Sequence, residues 1–184
     1  MSINKIEWCI EQHRKTNHYY DLYLPYEFHL RMVNQAAMDF QHLLDGKLNY
    51  RDGVIVALRE VCLLATWGHD LIEDTRTSYN DVKDVLGQEV ADIVYAVTNE
   101  KGKTRAERAN DKYYEGIRET EGAVFVKLCD RIANVQYSKM TKSSMFKKYK
   151  LEQPHFEKML GRSEDRDDLL EPMFAYLENL FNEL

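Results

Sequence analysis

His69 and Asp70, followed at helical spacing by Glu73 and Asp74 within the run WGHDLIEDT, put four metal-ligating or proton-carrying side chains at the end of an apolar stretch. Imidazole and carboxylate are the groups that bind transition-metal ions and exchange protons near neutral pH. The residues before them, Val54 to Leu58 and then Val61, Leu63, Leu64, Ala65 and Trp67, read as a mostly buried helix. Carboxylates in such a place must be paired or bind a cation, because an isolated buried charge is costly. On a continuous helix, His69 and Glu73, Asp70 and Glu73, and Asp70 and Asp74 share a face. His69 and Asp70 diverge by about 100° and both reach an ion placed between their directions. Taken alone, the string also fits a helix end carrying solvated acids.

Two further segments supply matching groups. The run VFVKLCDRIANV at 124–135 is a second apolar helix, interrupted by Asp130, with Asn134 one turn further on the same face. An ion pair of Asp130 with Arg131 or Lys127 is the simpler alternative there. His29 sits in a third amphipathic stretch, Tyr26-Glu27-Phe28-His29-Leu30. His29, His69, Asp70 and Asp130 together make a two-imidazole, two-carboxylate set that suits Mn, Fe or Zn better than Mg or Ca.

The elements that must position these groups read as helices, with almost no strand pattern. Pro25 stands near a helix start, and Phe28, Leu30, Val33, Ala37, Phe40 and Leu44 form a stripe that ends at Asp45-Gly46. Ser78-Tyr79-Asn80-Asp81 reads as a capping box before Val82, Val85 and Leu86, closed by Gly87. Val90, Ile93, Val94 and Val97 predict a short helix, and polar residues 99–110 a loop entering another one. Leu169, Leu170, Met173, Phe174, Leu177, Leu180 and Phe181 mark a final amphipathic helix that also allows self-association into a homo-oligomer. The expected architecture is an all-α, single-domain helical bundle over 1–184, with the site built between facing helices and helices in 151–184 completing the bundle.

Composition sets the outer bounds. A chain of 184 residues with 44% apolar content fits one domain, and such a domain buries about 70% of its unfolded surface. Cys9, Cys62 and Cys129 form no C-x-x-C pair, which reads as packed thiols in a reducing cytoplasm. Neither a signal peptide nor a membrane-length apolar run is expected. The net charge of −6 argues against a nucleic-acid surface, while leaving room for a local basic pocket.

His29, then HDLIED at 69–74, then KLCDRIAN at 127–134 resemble the H…HD…D pattern of HD-domain metal-dependent phosphohydrolases. Within that superfamily, GHDLIEDT and VKLCDRIANV are most similar to the hydrolase domain of RelA/SpoT enzymes and their small stand-alone relatives, which remove pyrophosphate from the 3′ position of guanosine tetraphosphate. Gln12-His13-Arg14-Lys15 ahead of Pro25-Tyr26, and Leu86-Gly87 ahead of Val97-Thr98, extend the resemblance over about residues 10–137. It implies an HD-type bundle, a divalent metal with Mn²⁺ first and Fe²⁺ or Zn²⁺ next, and a nucleotide substrate. Glu73 becomes the general acid or base, with Asp74 positioning water or a ligand. Asn134 is similar to the family's nucleotide-side Asn.

Arg14 and Lys15 are expected to grip a base or phosphate, against a solvated helix end as the alternative. Tyr19, Tyr20 and Tyr23 either wall a purine pocket or pack an entrance loop. His13, His18, His42 and His155 are expected to be hydrogen-bonded or surface residues. The chain departs from the family in this Tyr-rich stretch, in Leu30 after the metal His, in Ala133 and at Gln136-Tyr137. A broader HD phosphatase for 5′-nucleotides or an NADPH-like dinucleotide, and a catalytically silent nucleotide sensor, remain open readings.

Overall fold

The computed structural model describes residues 4–51, 54–162 and 168–182. The termini of the expected 1–184 domain and of its 151–184 helical part lie outside them.

Helix α1 (Lys5–Lys15) starts where Asn4 accepts hydrogen bonds from the amides of Ile6 and Glu7, and buries Cys9, Ile10 and His13. The Tyr-rich stretch that follows forms a short hairpin rather than helix. Its strands β1 (Tyr19–Tyr20) and β2 (Leu24–Pro25) are antiparallel. Pro25 therefore ends a strand, where its missing N–H costs nothing, and α2 (Glu27–Phe40) begins two residues later. A 3₁₀ turn, Gln41–Leu44, carries the expected apolar stripe to Leu44.

The apolar run beginning at Val54 divides in two. Val54–Ala57 is strand β4, paired antiparallel with β3 (Leu48–Arg51) in the register Leu48 to Ala57, and only Leu58–Gly68 is helical, as α3. Three successive β-branched residues, Val54, Ile55 and Val56, favour the pleated backbone. The Leu58 amide, bonded to the Lys47 carbonyl at 3.0 Å, marks the switch to helix.

After α3 come α4 (Leu71–Asp74), α5 (Tyr79–Leu86) and α6 (Gln88–Val97). The expected capping box is present, with Ser78 and Asp81 bonding each other's backbone, and Gly87 separates α5 from α6 at φ 108°. Gly68 lets these helices close on α3, since a Cβ there would lie 3.1 Å from Leu86 Cδ1 and 3.3 Å from Val94 Cγ2. The polar segment 99–110 holds a short helix, α7 (Arg105–Arg108), before α8 (Asp111–Glu119).

Helix α9 (Ala123–Met140) runs through the centre and packs against α2, α3, α6, α8, α10 and α11. Helix α10 (Ser144–Leu160) starts earlier than the sequence reading of residues 151–184 implies, because Ser143 caps it and Tyr149 belongs to its buried face. Helix α11 (Glu171–Asn182) buries Met173, Phe174, Leu177, Leu180 and Phe181, so its apolar stripe is core. The three cysteines are free and fully buried, and burial pushes the Cys9 and Cys62 thiols up to about 12. Among the described residues, no helix is long and apolar enough to cross a membrane.

Candidate active site

Helices α2, α3 and α9 pack on one another, and that contact gathers the expected ligands. His29 is the third residue of α2, His69 closes α3, Asp70 precedes α4, and Asp130 is near the middle of α9. His29 Nε2 and His69 Nε2 are 3.3 Å apart. Asp70 Oδ2 is 2.9 Å from His69 Nε2 and 3.6 Å from His29 Nε2. Asp130 Oδ1 is 3.4 Å from His29 Nε2 and 3.8 Å from His69 Nε2. Ligand atoms of His29, His69 and Asp130 all lie within 4.8 Å of one another.

The cluster fits a divalent metal. His69 Nδ1 is 2.8 Å from the Thr66 carbonyl, which can only accept, so Nδ1 carries a proton and Nε2 is the nitrogen turned toward the carboxylates. Both imidazoles are 2% exposed, so their ring nitrogens are withdrawn from bulk water. Although burial works against it, the carboxylates of Asp130 and Asp70 push His29 up to about 9, and Asp70 raises His69 in the same way. Burial also opposes ionisation of Asp70 and Asp130. The imidazoles nevertheless hold Asp70 well below the usual carboxylate range, and Lys127 with His29 does the same for Asp130. A place that draws positive charge this strongly favours a divalent cation at the same point. Of the two simple ion-pair alternatives for Asp130, Lys127 is the partner at 3.1 Å, while Arg131 turns elsewhere.

Glu73 and Asp74 part company because the helix breaks at Asp70, whose φ of −103° and ψ of 4° lie outside the helical well. The single continuous face expected for 69–74 is thus replaced by a turn. Both Glu73 oxygens accept from Asn99 Nδ2, at 3.0 and 2.9 Å, and Oε2 also accepts from the Asn99 amide at 3.2 Å. Asp74 faces the Tyr26 hydroxyl at 3.3 Å and His18 Nε2 at 3.9 Å. Burial, with Asp70 and Glu73 adding negative charge, pushes the Asp74 carboxyl up to about 7. Burial and Asp70 keep the Tyr26 hydroxyl protonated, and it donates to Asp70.

A cavity of about 620 Å³ opens over the cluster. Its lining includes His29, Asp70, Glu73, Asp74, Asp130 and Asn134 together with Arg105, Arg108, Arg131, Tyr149 and Glu152. Asn134 donates to the Asp130 side chain and accepts from the Tyr20 hydroxyl at 3.0 Å. Tyr20 stacks on His29 at 4.7 Å and also lines the cavity, whereas Tyr19 and Tyr23 are exposed. Arg14 and Lys15 lie at the end of α1, outside the cavity lining. Arg14 binds Glu7 and Glu27, each at 2.8 Å, and Lys15 contacts Gln12. His13 and His18 stack with Tyr26, and His155 lines the cavity.

Sequence reading missed Asn99, Arg105 and Glu152 entirely. Asn99 directly follows the Val97-Thr98 pair that shares the family resemblance, which is the one local signal available. Arg105 and Glu152 lie 47 residues apart, and no spacing rule joins them. Tyr26 was legible only as part of a Pro-Tyr pair, although one helical turn separates it from His29.

The bundle and the spacing of its H…HD…D residues are similar to those of HD-domain metal-dependent hydrolases. In sequence, part of the chain is similar to enzymes of the RelA/SpoT type. Over 68 residues it is 35% identical to guanosine-3′,5′-bis(diphosphate) 3′-pyrophosphohydrolase MESH1 of Danio rerio, covering 37% of this chain and 38% of that protein. Over 77 residues it is 31% identical to MESH1 of Drosophila melanogaster, covering 42% and 43%. A 77-residue stretch is 35% identical to the guanosine-3′,5′-bis(diphosphate) 3′-pyrophosphohydrolase of Aquifex aeolicus, covering 40% of this chain and 11% of that one. The chain thus matches about two fifths of the length of the MESH1 relatives.

A solved structure described as a metazoan ortholog of SpoT, which hydrolyzes ppGpp and plays a role in starvation responses, has the same fold. Its TM-score is 0.60 at 20% identity, over 96% of this chain and 97% of that one. No family model matches the chain.

Proposed function

We propose that this chain is a manganese-dependent phosphohydrolase that removes pyrophosphate from the 3′ position of guanosine 3′,5′-bis(diphosphate), acting as a single domain. The carrying observation is the convergence of His29, His69, Asp70 and Asp130 beside a cavity whose lining also includes Arg105, Arg108, Lys127 and Arg131. A divalent ion held by these side chains supplies Lewis-acid polarisation of a phosphoryl oxygen and lowers the pKa of water. The alignment with proteins named for this reaction supports the substrate.

The chain's own residues handle protons and orientation. Asn99 commits both Glu73 oxygens, so Glu73 is a fixed acceptor aimed from the cavity wall. Asp74, balanced between Tyr26 and the neighbouring carboxylates, is the member of the pair able to take a proton at Oδ2 and return it near neutral pH. This exchanges the roles expected from the sequence. Asn134 keeps the Asp130 carboxylate in place while Tyr20 braces the His29 ring. Lys127, beside Asp130, adds positive charge for a phosphoryl oxygen.

The test is incubation of the purified chain with ppGpp and Mn²⁺, with bound metal measured in parallel. Pyrophosphate release that disappears in Glu73→Gln and Asp74→Asn supports the reading. Orthophosphate as the sole product, or no release from metal-loaded protein, removes it.

A further inference from the structure

The lining of the same cavity also holds an arrangement that the hydrolytic chemistry leaves unused. Arg131 is 5% exposed, yet its guanidinium has incomplete satisfaction. One Nη donates to Glu152 Oε2 at 3.2 Å, the other to the Tyr149 carbonyl at 3.1 Å, and the buried Nε has no partner. The plane is held between the Tyr149 ring at 4.4 Å and the Phe156 ring at 4.7 Å.

Arg105 reaches the same carboxylate from α7, with Nε 3.0 Å from Oε1 and an Nη 3.3 Å from Oε2, and lies over the same Tyr149 ring at 5.4 Å. Two guanidinium forks from separate helices therefore converge on one anion. A packed core does not need this. Burying an arginine is expensive, and a hydrophobic residue of similar volume between two aromatic rings is often at least as stable. Two stacked forks aimed at one point are the geometry that recognises a phosphoryl group, and Glu152 presents in its place a planar anion accepting from both.

Glu152 is also a weak tenant. Its side chain is 37% exposed, and it comes from α10, a helix that contributes none of the metal-binding groups. We infer that Arg105 and Arg131 form a phosphoryl-binding subsite within the cavity, which Glu152 occupies as a built-in anion until a polyphosphate chain displaces it. This rests on the pyrophosphohydrolase reading for the identity of the substrate, but the subsite itself requires only an anion with at least two linked phosphates: one at the metal-binding side chains, one on the paired arginines. It makes the cavity selective for a pyrophosphoryl arm over a single phosphate.

The probe is inorganic pyrophosphate, titrated calorimetrically into the metal-loaded full chain freed of excess ion. Removing the resident charge in Glu152→Gln should tighten binding about tenfold, since the ligand then no longer has to displace a carboxylate from two guanidinium groups, one of them buried. Orthophosphate should gain about threefold or less. Arg105→Ala, an exposed change compatible with folding, should abolish the gain when combined with Glu152→Gln; Arg131→Met should do the same. Glu152→Gln that binds pyrophosphate no better than the parent overturns the subsite, whether or not ppGpp is hydrolysed. A tenfold gain in a protein that releases no pyrophosphate from ppGpp upholds the subsite and removes the substrate assignment alone.

Discussion

Saturating manganese should raise the melting temperature of the wild-type chain. The four candidate ligand side chains are gathered only in the folded state, so an ion that they hold binds the native protein and not the unfolded chain and stabilises by mass action. At 100 times its dissociation constant this amounts to about 2.7 kcal/mol. For a domain of this size, that corresponds to roughly 5–10 °C. Asp130→Asn and His69→Gln keep volume but remove a donor, and each should reduce the shift to about 2 °C or less.

Asp130→Asn carries a second, separable cost. It leaves the Lys127 ammonium, only 17% exposed and 3.1 Å from the lost charge, without its counterion. Uncompensated buried charge of this kind costs about 3 kcal/mol, so the variant should melt lower than wild type before any metal is added. Differential scanning fluorimetry over a Mn²⁺ series, with chelated controls, reads both effects. Wild-type protein that ignores Mn²⁺, or a His69→Gln variant that gains as much as wild type, would refute convergence on one cation.

Asn99→Ala removes both side-chain hydrogen bonds to Glu73 and should lower kcat about 10- to 100-fold, equivalent to one charge-assisted hydrogen bond, while the manganese-induced melting shift stays intact. Asp74, whose folded carboxyl is raised to about 7 from about 4 in the unfolded chain, contributes stability fully present below pH 4 and lost as pH rises through 7. Asp74→Asn should therefore flatten that part of the metal-free stability profile and melt higher than wild type at pH 8, at the expense of activity; identical profiles would contradict the burial of this carboxylate. Gly122→Ala forces a side chain into φ 83°, with its Cβ 2.7 Å from Cys62 Sγ and 3.0 Å from Ile93 Cδ1. Left-handed strain plus overpacking amount to about 3 kcal/mol, a fall of roughly 1.5 M in the urea midpoint measured by circular dichroism.

The helical class and the candidate ligand residues were legible in the residue order because helices and the charges that interrupt them show in short-range periodicity. Apolar residues recurring at three and four mark α2, α6, α9 and α11, and a charged residue interrupting such a run, as Asp130 does, is conspicuous wherever the chain goes. Local chemistry also wrote the capping box at Ser78 and the end of α5 at Gly87. Pairing with a neighbouring segment is different. Whether Val54–Ala57 becomes strand or helix depends on Leu48–Arg51 offering a partner, and Leu24–Pro25 depends likewise on Tyr19–Tyr20.

The same division runs through the site. Residue types singled out His29, His69, Asp70 and Asp130 as candidates, since buried imidazoles and carboxylates need a partner or a cation. What each remaining polar group does was decided by side chains tens of residues away: Asn99 took Glu73, Tyr26 took Asp74, Glu27 drew Arg14 away from the cavity, and Glu152 gathered Arg105 and Arg131. A polar side chain's partner is set by distance in space, and helix packing makes neighbours of residues between which the sequence shows no relation.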